Sequence, residues 1–160
     1  MSDDAVPQSP EDRLAALGLT LPPVVAPLAA YVPAVRSGNT VYTAGQVPIA
    51  DGELLAQGKV GAEVSADQAF GLARTCVLNA LAAAASEAGG LSSIIRVLKL
   101  TGFVASAPDF TAQPQVVNGA SELLLEIFGE AGKHARSAVG VAALPRNAPV
   151  EIELIVEVRD

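Results

Sequence analysis

The stretch SADQAFGLARTCVLNALAAAASEAGG constrains the fold more than any other part of the chain. It begins with Ser65 and Gln68 at the spacing of a helical capping box, and it ends with Gly89 and Gly90, which favour helix termination. Apolar residues between these ends recur at helical spacing. Because many of them are alanines, the predicted helix can pack close to a sheet.

Strand patterns flank this helix, and a second helix follows it. Ser37, Gly38 and Asn39 form a turn signal between two β-rich runs, which predicts a hairpin. The predicted elements are strands 32–36 and 40–44, a possible short strand near 59–61, the long helix, strand 96–105, a helix from Thr111 or Pro114 to Phe128, and strands 137–143 and 150–158. This order predicts an α+β fold, in which two long helices pack on one face of a sheet of five to six strands.

The first 30 residues differ in character from the rest. Ser9 as N-cap and Pro10 at the first helical position predict a short helix from about Pro10 to Leu17, ended by Gly18. The Pro-rich run that follows cannot be a central strand. We therefore divide the chain into an N-terminal extension, residues 1–30, and one α+β domain, residues 31–160.

Composition excludes several classes of function. The chain has 160 residues with a net charge of −7, and aromatic residues make up 4%. A phosphate backbone would be repelled by this charge, and few side chains could stack on bases, so nucleic acid is an unlikely partner. Cys76 is the single cysteine. No secretory signal and no membrane-spanning run is predicted, and we expect a cytoplasmic protein.

The strand predicted over 137–143 has small or apolar residues on both faces. Val139 and Val141 share one face, and Gly140 and Ala142 share the other. A sheet that is apolar on both faces in a small chain favours burial against another subunit. The pattern predicts a homo-oligomer.

Candidate functional residues cluster near the C-terminus, in HARSAVGVAALPRNAPVEIELIVEV. Arg136 stands where a loop enters a strand, and it could pair with an acidic neighbour such as Glu130 or clamp a substrate carboxylate. Glu151, Glu153 and Glu157 could form a solvated strand face, or one of them could hold a catalytic water. Tyr31 could be a pocket wall or a residue at the edge of the core.

The sequence lacks the residues that several other kinds of chemistry require. No Gly-rich phosphate loop or dinucleotide motif is present. One His and one Cys cannot make a zinc site, and we predict no metal. A Ser-His-Asp triad would have to use His134, and nothing nearby supports it. Cys76 lies within the long helical pattern and is interpreted as a small core residue.

Several blocks of the chain, in order, resemble the Rid proteins, also called the YjgF family. They are YVPAVRSGNTVYTAGQVP, FVASAPDFTAQPQVVNGASELLLEIFGE and ARSAVGVAALPRNAPVEIELIVEV. The last is the most specific, with Arg-Ser, a small-residue strand, Leu-Pro and a Glu-x-Glu strand. The resemblance covers about residues 31–158 and implies the chorismate-mutase-like α+β fold and a homotrimer with active clefts between subunits.

The resemblance also implies an activity. Rid proteins hydrolyse reactive enamines and imines, above all 2-aminoacrylate, to 2-keto acids and ammonia, and they need no cofactor. The implied site residues are Arg136 for the substrate carboxylate, Tyr31 as the pocket tyrosine, Gly45 with its backbone facing the imine nitrogen, Asn118 in the second helix, and Glu151 for the water.

Two positions depart from the family pattern. Ala138 stands where a Cys is frequent, and Ala44 stands where a Ser is frequent before Gly-Gln. Both changes remove polar atoms from the presumed pocket, and the N-terminal extension is a further difference. They leave two alternatives open beside the deaminase: a small-carboxylate-binding or chaperone-like trimer without turnover, and an endoribonuclease that uses His134.

A geometric expectation completes the sequence analysis. If strands 137–143 and 150–158 formed a simple hairpin, Ala143 would lie opposite Glu151, and Arg136 would lie roughly 20–25 Å from Glu151. A site that contains both Arg136 and Glu151 would then need another subunit or a different strand order.

Overall fold

Two long helices cover one face of a five-stranded sheet in the computed structural model, which describes residues 8–27 and 29–160. The α+β fold predicted from the sequence is confirmed. The elements are α1 (Pro10–Ala16), β1 (Ala34–Ser37), β2 (Thr40–Thr43), β3 (Ile49–Ala50), β4 (Glu53–Leu54), α2 (Ala66–Ala88), β5 (Ile94–Ala105), α3 (Gln113–Phe128), β6 (Ala135–Val141) and β7 (Val150–Val158), with 3-10 turns at Leu91–Ser93, Gly129–Gly132 and Pro145–Asn147.

The sheet has the strand order β1-β2-β7-β5-β6. The predicted hairpin is present as β1 and β2, which pair antiparallel across Gly38 and Asn39. Strand β7 lies in the middle, antiparallel to both β2 and β5, and β6 pairs parallel to β5 at the edge. Near the possible short strand at 59–61, Val60 forms isolated bridges with Val64 and Ser106. Strands β3 and β4 form a small hairpin at Asp51-Gly52 that was not predicted.

The last two strands do not form the hairpin that the sequence analysis considered; the different strand order is the one found. Strand β5 lies between β6 and β7 and pairs with both of them. The LPRNAP segment therefore carries the chain across β5 and does not make a tight turn. Loop composition predicts that a strand ends, but it does not predict which strand will be its neighbour.

The core lies between the sheet and the two long helices. In β7 every second residue from Val150 to Val158 is buried, as expected for a strand with one face on the core. Helix α2 begins at the cap Ser65, whose hydroxyl accepts a hydrogen bond from the Gln68 backbone N–H, and ends at Gly89 with φ 90°. By length and composition α2 could cross a membrane, but 67% of its apolar window is buried, as in a core helix.

The extension is attached to this core. Ser9 and Asp12 form a reciprocal capping box at the start of α1, as the sequence predicts for the N-cap. Leu14 is buried, and the Glu11 carboxylate accepts hydrogen bonds from the backbone N–H and the hydroxyl of Ser92. Residues 1–7 and Leu28, also part of the predicted extension, lie outside the described residues.

The second face of the sheet carries no helix from the described part of the chain. Tyr42 of β2 is 48% exposed and Val139 of β6 is 42% exposed on that face. The same face carries Glu151, Glu153 and Ile155 of β7, which alternate with the buried residues of the strand. We call it the open face.

Close packing of α2 and α3 depends on Gly119. A Cβ at this position would overlap the carbonyl oxygen of Phe70 in α2, and a backbone atom cannot swing aside. Overpacking of this kind costs about 1–3 kcal/mol, and each kcal/mol lowers Tm by about 2–4 °C at this chain length. We expect Gly119→Ala to lower Tm by several degrees in thermal unfolding.

Gly71 is the matched control, because a Cβ there would meet nothing within 4 Å. Gly71→Ala is expected to keep or raise Tm, since alanine is the better helix former. Equal Tm values for Gly119→Ala and wild type would contradict the packing argument.

Candidate functional site

A cavity of about 430 Å³ opens beside the middle of the sheet. Three of the predicted site residues, Tyr31, Gly45 and Glu151, line it together. The other lining residues come from the segment before β1 (Val25, Ala26, Ala29, Pro33), the stretch from the end of β2 to the β3–β4 turn (Gln46, Val47, Ile49, Gly52) and the segment before β7 (Pro145, Arg146). The cavity is therefore mostly apolar, with one carboxylate in its wall.

Backbone pairing holds Gly45 against Glu151. Gln46 and Ile152 exchange both backbone hydrogen bonds, at 2.8 and 3.0 Å. In an antiparallel pair the residues that precede the two partners, here Gly45 and Glu151, are diagonal neighbours on one face. A Cβ on Gly45 would lie 2.7 Å from Glu151 Cδ and 2.9 Å from its Oε2. Only glycine leaves room here for the carboxylate in its present position.

The environment of Glu151 favours its protonated form. Burial, and to a smaller extent the like charge of Glu153 two residues along β7, raises the pKa of Glu151 above its usual value. No group in the described part of the chain donates a hydrogen bond that would oppose this. A carboxyl with a raised pKa is suited to accept a proton and return it within one reaction.

Asn79 of α2 fixes the loop that forms one wall of the cavity. Its side chain is almost fully buried, and its Nδ2 donates to the carbonyl oxygens of Val47 (3.3 Å) and Ile49 (2.9 Å). Both residues line the cavity. The core helix thus helps to fix the position of this wall.

Arg136 lies on β6 and points toward α3. Its Nη1 donates to Asn118 Oδ1 at 2.7 Å and to Ser121 Oγ at 3.2 Å. Arg136 is half-buried, and none of the carboxylates in residues 8–27 and 29–160 forms an ion pair with it. The sequence-based alternative, a pair with Glu130, is not formed because Glu130 pairs with Lys133. The guanidinium keeps donors available for a carboxylate ligand.

Arg136 and Glu151 lie on opposite faces of the sheet. Through β5, Arg136 is in register with Leu100 and Glu151 with Phe103. These two positions are an odd number of residues apart, so the side chains point in opposite directions. The two residues are separated by three positions along the strands and by two strand spacings across the sheet. This separation corresponds to roughly 14 Å between the backbones of Arg136 and Glu151. One subunit cannot bring both groups to one small ligand.

Two other predicted site residues lie with Arg136 on the helix-covered face. Asn118 of α3 accepts a hydrogen bond from Arg136, and Ala138, two residues along β6, packs against the core. Neither residue lines the cavity, and Ala44 does not line it either. Of the three strand glutamates, only Glu151 is a lining residue; Glu153 and Glu157 are not.

Two residues with clear contacts were missed in the sequence. Ser121 lies three residues after Asn118 on α3 and also contacts Arg136, and this helical spacing was a signal that could have identified it. Arg146 lines the cavity and has a left-handed backbone with φ 59° and ψ 19°. No sequence signal distinguishes Arg146 from an ordinary turn residue.

His134 and Cys76 are engaged within the fold. His134 Nδ1 contacts the Gly132 carbonyl oxygen at 2.6 Å, so it carries the proton, and Nε2 then accepts from Ser121 Oγ at 2.9 Å. Cys76 is fully buried, as predicted for a core residue. Its burial, and to a smaller extent the nearby Glu151, raises the pKa of the Cys76 thiol, which disfavours the thiolate.

Comparison with known proteins agrees with the resemblance drawn from the sequence. The family described as "YjgF/chorismate mutase-like, putative endoribonuclease" matches residues 11–158. The chain belongs to the YjgF family. Its mixed five-stranded sheet with helices on one face is the fold of that family.

Individual YjgF relatives cover most of the chain. Protein TCP17 of Trypanosoma cruzi is 42% identical over 92% of this chain and 93% of its own length. The 2-iminobutanoate/2-iminopropanoate deaminase of Dermatophagoides farinae is 36% identical over 81% of this chain and 87% of its own. The crystal structure of Atu1372 from Agrobacterium tumefaciens superposes with a TM-score of 0.87 at 48% identity and covers 94% of this chain and 93% of its own. The matches to TCP17 and Atu1372 reach into residues 1–30.

Proposed function

We propose that this protein hydrolyses reactive 2-imino acids and their enamine tautomers, such as 2-aminoacrylate, to 2-keto acids and ammonia without a cofactor. The observation that carries the proposal is a pair of ionisable groups without an ion-pair partner in the described chain: the Glu151 carboxylate in a mostly apolar cavity and the Arg136 guanidinium, which is held by neutral partners. A YjgF relative named as a deaminase of this kind, at 36% identity, supports it.

The proposed active unit is a homotrimer in the cytoplasm. Arg136 and Glu151 face opposite sides of one sheet, so a shared cleft requires Arg136 from one subunit and Glu151 from its neighbour. The open face, with Tyr42 and Val139 exposed, offers apolar surface for that contact. Light scattering should give three times the 16.2 kDa of one chain.

The chemistry follows from these positions. Arg136 binds the substrate carboxylate and orients the C=N bond. Glu151 takes a proton from a water molecule, whose oxygen bonds to the imine carbon while the C=N π electrons go to nitrogen. Glu151 then returns the proton to the nitrogen. Glu151 next carries the proton of the new hydroxyl group to the amino nitrogen as the C–N bond breaks, so ammonia leaves and the C=O bond of the keto acid forms.

The test uses imino acids made in the assay. An amino-acid oxidase generates 2-iminopropanoate from alanine, and a trapping amine competes with hydrolysis. The protein is expected to reduce the trapped fraction and raise the rate of ammonia release above the spontaneous rate. Hydrolysis at the spontaneous rate with the folded trimer present would overturn the proposal and would favour the carboxylate-binding alternative.

The endoribonuclease alternative has weaker support. The family description mentions it, but both ring nitrogens of His134 are occupied by Gly132 and Ser121 within the chain. The net charge of −7 also opposes RNA binding. RNA cleavage that co-purifies with the protein and is lost in His134→Ala would favour this activity.

Gly45 provides a local test of the Glu151 position. In Gly45→Ala the new Cβ displaces the carboxylate, and because this is the end of a flexible side chain, the fold adapts easily. A displacement of about 1 Å can lower a rate about 10²-fold. We expect kcat/KM to fall by about that factor while Tm shifts little.

The double variant Gly45→Ala/Glu151→Gln is the control. It should be no slower than Glu151→Gln alone, because both changes act on one group. Full activity in Gly45→Ala, or losses that multiply in the double variant, would contradict the assigned contact.

A further inference from the structure

The N-terminal segment closes one side of the cavity that holds Glu151. Val25, Ala26 and Ala29 line it together with Val47 and Ile49. All five side chains are aliphatic; Val25 is half-buried, Ala26 and Ala29 are exposed, and the carbonyl oxygens of Val47 and Ile49 are held by the buried Asn79. Part of the aliphatic lining therefore belongs to the extension.

The cavity is larger than a three-carbon substrate needs. Its volume of about 430 Å³ lies in the range of pockets that enclose ligands much larger than 2-iminopropanoate. Each methylene group that leaves water for such a wall strengthens binding roughly fourfold. A substrate whose aliphatic side chain fills the space gains binding that a methyl group cannot supply.

The charge of Arg146 is a weaker argument for a dicarboxylic substrate. Arg146 lines the cavity and could bind the second carboxylate of such a substrate. Its side chain is exposed, and its carbonyl oxygen accepts a hydrogen bond from Gln57 Nε2 at 2.9 Å. An exposed ion pair contributes little because water screens both charges. The extent of the aliphatic wall outweighs this one exposed cation.

We infer that the cavity selects 2-imino acids with aliphatic side chains of about three to four carbons, as in the imines of norvaline, leucine and norleucine, over 2-iminopropanoate. Val25 and Ala26 are the residues that determine this specificity. The inference rests on the proposed function for its chemistry. The size and polarity of the binding cavity are independent of turnover.

The experiment measures two series with the full-length protein. The first is kcat/KM for imines generated from alanine, norvaline, norleucine, leucine and aspartate. The second is the Kd of the matching 2-keto acids by calorimetry. We expect both to improve from alanine to norleucine, roughly fourfold per methylene group, with the aspartate-derived pair no better than the alanine-derived pair.

Ala26→Phe adds a ring at a position that lines the cavity and is expected to reduce the norleucine-to-alanine ratio at least tenfold in both series. Ala62→Phe places the same ring in an exposed loop that does not line the cavity, and it should leave that ratio unchanged.

The outcomes separate the two proposals. If no imine is hydrolysed faster than spontaneously but keto-acid affinity still rises with chain length, the deaminase proposal is wrong and the selectivity of the cavity stands. If the rate enhancement does not depend on chain length, or is greatest for the aspartate-derived imine, the inference of aliphatic selectivity is wrong and the deaminase proposal stands. A norleucine-to-alanine ratio that Ala26→Phe does not change would also overturn the inference.

Discussion

Replacing Arg136 with alanine is expected to lower kcat/KM for 2-imino acids by about two to three orders of magnitude. The guanidinium provides the charged contact proposed to hold the substrate carboxylate, and removing one partner of such a pair costs about 2–5 kcal/mol. Arg136→Lys should recover only part of the loss, because lysine keeps the charge but lacks the planar fork. Rates with purified variants, together with Tm, measure both effects.

Arg96→Ala is the matched control for the loss of one positive charge. Arg96 lies on β5, is exposed, and does not line the cavity. It should keep wild-type kcat/KM within about twofold, as is usual for surface substitutions. An Arg136→Ala variant as active as Arg96→Ala would remove the central residue from the proposed site.

Replacing Glu151 with glutamine is expected to lower kcat by about 10²–10⁴-fold, the usual contribution of a positioned general base. In the wild type the rate should fall as the pH falls through the raised pKa of Glu151, so the acidic limb lies above the range of an ordinary carboxyl. In Glu151→Gln that limb should be absent. The pH profile of kcat/KM measures it.

The same substitution should raise stability at neutral pH. Because the pKa of Glu151 is raised in the folded state, that state binds more protons than the unfolded one between the ordinary and the raised pKa. The stability of the wild type therefore falls as the pH rises through this window, and it stays lowered at higher pH. Glutamine does not titrate, so Glu151→Gln avoids this loss of stability. The Tm of the variant should exceed that of the wild type at neutral pH, and this difference should disappear below the ordinary carboxyl pKa.

Glu153→Gln is the control for the like-charge contribution. It removes the second cause of the raised pKa of Glu151 and leaves the cavity wall intact. We expect activity to persist while the acidic limb moves to lower pH. An unchanged limb in this variant would mean that the charge of Glu153 does not contribute to the raised pKa of Glu151.

Mixing two inactive variants tests whether the site is shared between subunits. If each cleft takes Arg136 from one subunit and Glu151 from the next, random trimers of Arg136→Ala and Glu151→Gln would contain about a quarter of intact sites. We expect recovery to about that fraction after unfolding and refolding the mixture. No recovery at all would place both residues in one subunit.

The hydrogen bonds that hold the Arg136 side chain have defined donors and acceptors. Arg136 donates to Ser121, whose hydroxyl then donates to His134 Nε2, since His134 Nδ1 donates to the carbonyl oxygen of Gly132. With Asn118 as the second acceptor, this arrangement positions the guanidinium without neutralising its charge. Neutral partners leave the full positive charge for a bound anion.

Local sequence determined the elements and most of the individual site residues. Caps such as Ser9, Ser65 and Gly89 act on their own helix ends, so their effect can be read without knowledge of the rest of the chain. The period-2 pattern from Val150 to Val158 predicts a strand with one buried face for the same reason. The C-terminal signature predicted the family, which is confirmed, and it made Arg136 and Glu151 candidate site residues.

Tertiary structure alone decided how those residues are combined. The insertion of β7 between β2 and β5 depends on pairing between distant segments, which no local pattern encodes. That pairing puts Glu151 and Arg136 on opposite faces and brings Gly45 against Glu151. The aliphatic wall from Val25 and Ala26 is also a tertiary feature, because a Pro-rich segment without its own secondary structure takes its position from the surface it packs on.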